Sequence, residues 1–468
     1  MKKLRIILFF TFSFSFFTSL CKGQYTDLLN FNDTNGSGPL GSLVAADWAL
    51  FGITGDGGAY GGGLIFSMNK DGGGYQDMHD FINPNGGSAH DGNLLLIGNK
   101  LFGMIPYGGT DWEGVVFSIN TDGSGYRVLL NFNDTNGWGP IGPLVISEGV
   151  LFGLTEFGGI NQAGNIFKID TNGKNYRDIY NFDGLNDAQP IVGLTLVGNK
   201  LYGAASAYGG PFGKSYIFSI DTNGSGFKTL SLYADSTSGT SGTLTYSSGV
   251  LYGIAAGPAF NSTSNIFSID TDGSKFKILT WLNNTGSFSI IGGTLYGMSY
   301  VGTYGHGCIF SIDTNGSGYT DLYNFNGSNG NFPVGGLTIS GNMMYGALGP
   351  NGRTNYGSIF SFKDTVGALE INTIEASIGS INLYPNPNNG SFTVSSHAVR
   401  QLADSASQTI EVYNMLGEKV YSSTLPETPK GALINISNQP NGIYLYRVLE
   451  ENGLALGEIG EGKIIIQK

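Results

Sequence analysis

The stretch that decides the fold reads Leu201-Tyr202-Gly203, then a glycine-rich loop, then Ile217-Phe218-Ser219-Ile220-Asp221, then Thr222-Asn223-Gly224-Ser225-Gly226-Phe227. Residues 193–197, 200–204, 216–221 and 227–232 are strand-length runs, apolar or alternating, and every gap between them carries Gly, Asn or Asp. Asn223-Gly224 supplies the positive φ that a tight hairpin needs, and Gly226 can seat a bulge. The stretch therefore predicts one unit of four short antiparallel strands.

Working outward, the unit recurs. Leu-aromatic-Gly appears at Leu50, Leu101, Leu151, Leu201, Leu251 and Leu295, with Met344-Tyr345-Gly346 as a seventh copy. The second phrase follows each one, at Ile65, Val116, Ile166, Ile217, Ile266, Ile309 and Ile359. The period of about 50 residues lies in the range of propeller blades. No helix-period stretch of useful length interrupts the units. Residues 25–31 match the fourth strand of a unit but precede the first Leu-Phe-Gly, while no fourth strand follows Phe362. Pairing the two ends closes a ring and removes two open edges. The expectation is a seven-bladed β-propeller over residues 24–365.

Composition agrees. Glycine is 76 of 468 residues while aromatics are 13%, which fits short strands joined by tight turns rather than disorder. Charged residues are only 12%, so Asn, Ser, Thr and Gly must cover the surface. The net charge of −12 and the lack of a basic patch argue against nucleic acid and against an anionic membrane face. Lys2, Lys3 and Arg5 followed by an apolar run predict a secretory signal peptide over residues 1–23, with the mature chain beginning at Gln24. Leu20 stands where a lipoprotein signal wants a small residue before Cys21. The mature chain then keeps one cysteine, Cys308, and no intrachain disulfide.

The Leu-Tyr-Gly, Gly-Gly and Ile-Phe-Ser-Ile-Asp phrases resemble the GloVer tandem repeat of secreted bacterial proteins, a family that implies no established activity. The hairpin is also similar to the Asp-box turn of sialidase propellers. It has an extra residue and lacks the usual Thr-Trp ending, so only a turn solution is shared.

Residues 366–380 read as a linker. Residues 381–468 then read as a small all-β sandwich with alternating strands and Asn-Gly turns. Leu383-Tyr384-Pro385-Asn386-Pro387, Gly390, Pro440-Asn441-Gly442 and a final Gly462-Lys463-Ile464-Ile465-Ile466 resemble the type A sorting domain of the type IX secretion system. The resemblance implies an Ig-like sandwich, the type IX machinery as partner, and export to the extracellular space or outer-membrane surface. It marks Leu383, Tyr384, Pro385, Asn386, Pro387, Gly390, Gly442 and Lys463 as the sorting signal.

Catalytic motifs do not emerge. Gly36 to Gly41 and Gly137 to Gly142 match a dinucleotide fingerprint, but each contains a proline and leads into a strand where the fingerprint needs a helix. Asp-x-Asn-Gly turns start like calcium loops yet lack the later carboxylates. His79, His90, His306 and His397 show no ligand spacing. No cofactor, metal or catalytic residue is expected.

Tyr107, Phe157 and Tyr208 each precede Gly-Gly and recur from unit to unit, the mark of packing. Residues that break the repeat are freer to serve a ligand. These are Asp56, Tyr60, Asp111, Trp112, Glu113, Glu156, His306, Arg353 and Tyr356 in loops between second and third strands, and Trp138 between units. In an up-and-down blade both loop types open on one face. Flat aromatics with carboxylates and Asn suit a sugar or peptide. The sequence thus predicts a monomeric, non-catalytic surface module that binds a glycan or a surface protein. A glycosidase or polysaccharide lyase using Asp111, Glu113 or Glu156 is the alternative.

Overall fold

A computed structural model describes residues 23–82, 92–183, 189–206, 215–233, 240–255, 264–282, 286–350, 354–364, 382–384, 391–395, 407–414, 419–425, 432–451 and 456–466. The signal segment expected over 1–23 lies outside these residues except for Gly23. The chain divides into two compact units, Met1–Leu369 and Glu370–Lys468. Every regular element among the described residues is a strand.

The first unit is a seven-bladed propeller. Six blades are consecutive antiparallel sheets, and the seventh takes its outer strand, Gly23–Asn30, from the beginning of the chain. That strand pairs with Ser358–Asp364, placing Tyr25 opposite Phe362, Asp27 opposite Phe360 and Asn30 opposite Ser358. The expected joining of the two ends is what closes the ring.

The two repeated phrases are halves of one contact. Gly203 of Leu-Tyr-Gly pairs with Phe218 of Ile-Phe-Ser. A Cβ on Gly203 would lie 2.5 Å from the Phe218 ring, and the other six blades show the same overlap, at Gly52, Gly103, Gly153, Gly253, Gly297 and Gly346. Glycine inside these strands marks the close approach of the neighbouring ring. All seven rings, from Phe66 to Phe360, are fully buried, each worth about 2–3 kcal/mol relative to exposure.

The Asn-Gly turn does more than turn the chain. Gly224 has φ +90°, as a hairpin glycine should. It also seats on the preceding blade, where a Cβ would meet the Ile179 carbonyl at 2.6 Å. Ile179 is itself the extra residue of a bulge, because Ile166 pairs with Tyr180 and Phe167 with Asp178. The same bulge interrupts the outer strand of every blade, at Leu28, Met78, Leu129, Ile179, Leu230, Leu279 and Leu322. It sits mid-strand, apart from the turn that holds Gly226.

Around the axis the first strands approach so closely that glycines meet. A Cβ on Gly142 would lie 2.2 Å from the Gly193 Cα, and one on Gly286 would lie 1.9 Å from the Gly335 carbonyl. Blades four to seven add hydroxyl links. Thr195 donates to the Leu244 carbonyl (2.5 Å), Thr245 to Phe288 (3.0 Å), Ser289 to Leu337 (2.6 Å) and Thr338 to Leu43 (2.5 Å). Val44, Leu95 and Val145 hold the matching positions of the first three blades and pack apolar cores instead.

One position breaks the repeat's electrostatics. Asn131, Asn181 and Asn324 end their outer strands and accept a backbone N–H from the loop above, and Asp80 does the same for Ala59 at 2.6 Å. Asp80 thereby faces Asp77. Partial burial and the charge of Asp80 push the Asp77 carboxyl up to about 6. A raised carboxyl pKa favours the folded state below the ordinary carboxylate range, and that advantage is lost as pH rises through 6. Much of the Asp77 side chain still reaches solvent, which screens the pair and holds the penalty at neutral pH to about 1 kcal/mol. Asp80→Asn keeps the acceptor and is expected to melt above the parent at pH 8 and level with it at pH 4. A variant less stable at pH 8 contradicts this assignment.

The second unit holds two sheets. One contains Asn382–Tyr384, Ser391–Ser395 and Ala432–Asn435, and the other Lys419–Leu425, Ser407–Tyr413, Gly442–Glu451 and Leu456–Ile466. Phe392 and Ile434 of the first meet Ile410, Val412, Tyr444 and Ile466 of the second in one core. This is a sandwich. At its surface, the exposed Lys419 pairs with the buried Glu411 at 2.8 Å.

Candidate functional site

Because strands alternate in direction, the loops between second and third strands share a face with the loops between blades. Backbone bonds stitch the two loop types together. Gly38 N–H donates to the Tyr356 carbonyl (2.9 Å), Gly139 to Glu113 (3.0 Å) and Gly349 to Phe332 (2.8 Å). The phenylalanine that opens five of the inter-blade loops is also tied down, as where Phe132 N–H donates to Gly114 at 2.9 Å.

Several expected residues meet where blades two and three join. Asp111, Trp112 and Glu113 come from one loop, and Trp138 and Glu156 from the next blade. Trp138 stacks on Phe157 with ring centroids 4.2 Å apart. Gly139 stands beside Glu156, within 3.8 Å of its Cβ for a built Cβ. Glu113 holds one carboxylate oxygen buried with no hydrogen-bond partner among the described residues. Burial pushes its carboxyl up, and the charges of Asp134 and Asp111 add to the effect. Asp134 is the member of this group that sequence reading missed. It sits in the inter-blade loop, where only Trp138 stood out.

The other expected residues lie elsewhere on the ring. Asp56 and Tyr356 flank the junction of blades seven and one, where Asp56 exchanges backbone bonds with Ser37. Tyr60 is 58% exposed at its loop tip. His306 sits beside Gly327, between blades six and seven. Arg353, His90, His397 and Tyr208 fall outside the described residues. Of the recurring aromatics expected to pack, Phe157 does so against Trp138, while Tyr107 is largely exposed.

Trp112 carries a backbone signal. Its φ is +66°, two residues before the glycine that closes its loop. The same place holds Gly61 (φ +73°) in blade one, Gln162 (φ +59°) in blade three and Gly305 (φ +75°) in blade six. Gln162 recovers part of the strain through hydrogen bonds to the Asp134 and Gly159 carbonyls, both 3.3 Å. The bulky Trp112 is half-buried and keeps the strained conformation where glycine would relieve it.

The central channel, about 630 Å³, is walled by backbone, glycine and small or apolar side chains such as Ser42, Val192, Thr243 and Leu337. Among the described residues, no Asp, Glu, Lys, Arg or His lines it. No cluster of three or more His, Cys, Asp or Glu able to hold a metal occurs among the described residues. The turn carboxylates have local roles, as where Asp221 pairs with Lys200 at 2.7 Å.

In the sandwich, Gly442 pairs with Ile466 and Lys463 with Leu445, while Leu383 and Tyr384 belong to the first strand. Pro385, Asn386, Pro387 and Gly390 lie outside the described residues.

Two family models match the chain. Residues 13–213 match the Gloeobacter/Verrucomicrobia repeat, and residues 382–466 match the secretion system C-terminal sorting domain. No curated protein matches in sequence. Among solved structures, a puromycin-hydrolyzing peptidase of Mycobacterium tuberculosis aligns at 12% identity and TM-score 0.50, over 74% of this chain and 55% of that one. An oligogalacturonate lyase from Vibrio parahaemolyticus aligns at 10% identity and TM-score 0.49, over 74% and 94%. This chain thus spans about half of the peptidase, and at 12% identity that likeness concerns the fold alone. The chain carries the Gloeobacter/Verrucomicrobia repeat over residues 13–213, within a seven-bladed propeller, together with a type IX sorting domain that directs it to the extracellular or cell-surface space.

Proposed function

We propose that the propeller is a non-catalytic module that binds a glycan outside the cell through its loop face, with Trp112 and Trp138 at the junction of blades two and three. The observation that carries this reading is the backbone of Trp112. A bulky residue in the left-handed region costs on the order of 1 kcal/mol, and such strain concentrates at ligand sites. Here it holds a flat aromatic next to carboxylates, the chemistry that grips a sugar ring and its hydroxyls.

The raised carboxyl of Glu113 supports a second reading, hydrolysis of a glycan. Glycosidases hold two carboxyl groups roughly 5–5.5 Å or 6.5–9.5 Å apart across the substrate. Glu113 lies against Asp134 instead, so this one pair does not have the glycosidase spacing.

A glycan array on the mature chain tests both. Trp112→Gly combined with Trp138→Ala is expected to weaken binding at least tenfold, since each stacked aromatic contributes about 1 kcal/mol. The glycine relieves backbone strain, so the fold should survive. Undiminished binding removes this choice of site, and release of reducing ends from a bound glycan favours the hydrolytic reading.

A further inference from the structure

A second aromatic occupies a glycine position on the same face. Three inter-blade loops share one design, opened by Asn32, Asn133 and Asn326. Each Asn N–H donates to the side chain of an Asn three residues on, at 2.8, 2.7 and 2.7 Å. Six residues after the opening Asn, and directly before a proline, stand Gly38, Gly139 and Phe332. Their φ angles are +64°, +63° and +52°. Blade seven therefore keeps the glycine conformation and places a phenylalanine in it.

The strain at Phe332 is held from both sides. Its N–H takes the Asn331 side chain at 2.9 Å, and its carbonyl takes Gly349 N–H at 2.8 Å. The ring gains little packing in return. It is 46% exposed, with Tyr300 edge-on at 6.4 Å and Tyr304, on the same loop as Tyr300, 60% exposed. Loops 300–307 and 325–332 contain no Asp, Glu, Lys or Arg, in contrast to the four carboxylates at the junction of blades two and three.

We infer that Phe332, Tyr300 and Tyr304 form a second binding site, between blades six and seven, for a neutral polysaccharide. The inference rests on reading the loop face as a glycan-binding surface. Sugar C–H faces stack on aromatic planes, and Thr303 and Asn331 supply polar groups for sugar hydroxyls. Two loops without Lys or Arg, on a chain of net charge −12, offer nothing to attract an anionic polymer, and without Asp or Glu they lack the carboxylates that would hold a basic peptide.

The test is retention of the mature chain on xylan, mannan and amylose, with polygalacturonate as the anionic counterpart. Phe332→Gly restores the repeat's own residue, so its melting temperature should equal or exceed the parent's. Its retention on at least one neutral polymer should fall tenfold or more, as should that of Tyr304→Ala. Retention should not change between 50 and 500 mM salt, the mark of an uncharged ligand. Parent-like retention by both variants overturns the site. So does salt-sensitive retention on polygalacturonate alone, or a parent dimer that Phe332→Gly dissolves. If Trp112→Gly abolishes retention and Phe332→Gly does not, this inference falls while the earlier reading stands. No retention on any polymer overturns both.

Discussion

Removing residues 24–32 is expected to abolish the cooperative melt of the propeller and drive the chain into aggregates. The deletion strips the outer strand from the seventh blade and leaves Ser358–Asp364 as an open edge. Such an edge is a template for pairing with another chain. The loss extends beyond the ladder. Tyr25 stacks on Tyr323 with centroids 4.6 Å apart and packs against Phe325 and Phe360, and the fully buried Phe31 lies edge-on to Phe66 in the next blade. A half-buried ring and a fully buried one leave at once, and the loss of Phe31 alone costs about 3 kcal/mol or more. Calorimetry and size exclusion read the result, and a peptide of residues 23–32 added in trans should restore part of the transition. A full-strength cooperative melt from the truncated chain would show that the ring does not depend on this closure.

Gly142→Ala is expected to destabilise the propeller by about 4 kcal/mol, near the upper end for a single substitution. Two effects combine. Gly142 has φ +67°, which strains any side chain, and its Cβ would fall 2.2 Å from the Gly193 Cα in the next blade. The obstacle is backbone, so no rotamer change relieves it and the first strands of two blades must move apart. Gly149 is the matched control. Its φ is +78°, yet no atom lies within 4 Å of the position of a Cβ. Gly149→Ala should therefore cost only about 1 kcal/mol. The difference between the two variants in chemical denaturation isolates the axial packing. Equal losses would mean that conformation alone, and not the meeting of glycines, sets the cost.

The blade count and the closure were legible because the repeat is spelled out. Leu-aromatic-Gly and Ile-Phe-Ser recur on a fixed period, and residues 25–31 repeat the outer strand where nothing else explains them. The reason for the glycine in Leu-Tyr-Gly was hidden, since it depends on which strand lies alongside. Gly203 faces Phe218 across a ladder whose register the sequence does not state. The turn glycines misled in a related way. Gly224 satisfies a hairpin, so nothing local asked for the Ile179 carbonyl of the blade before.

On the candidate site, comparing loops that break the repeat found Trp112, Glu113 and Trp138 but not Asp134, Tyr300, Tyr304 or Phe332. Phe332 carried a readable signal. It stands where Gly38 and Gly139 stand, in a loop between blades rather than one between second and third strands. The pairing of Asp77 with Asp80 was less accessible. It arises because the bulge at Met78 puts Asp77 and Asp80 on one face of their strand, under a loop that needs an acceptor there.

The closing strand also governs how the ring comes to exist. Tyr25 and Phe362 are more than three hundred residues apart in the chain, whereas the hairpins inside each blade join neighbours. Bringing such distant ends together costs on the order of 5 kcal/mol of chain entropy before any contact forms. Contacts of this range form slowly. Blades can therefore assemble one after another while the first segment made waits unpaired for the last. The lifetime of that open arc, more than the strength of the finished circle, decides how long the propeller stays vulnerable on its way out of the cell.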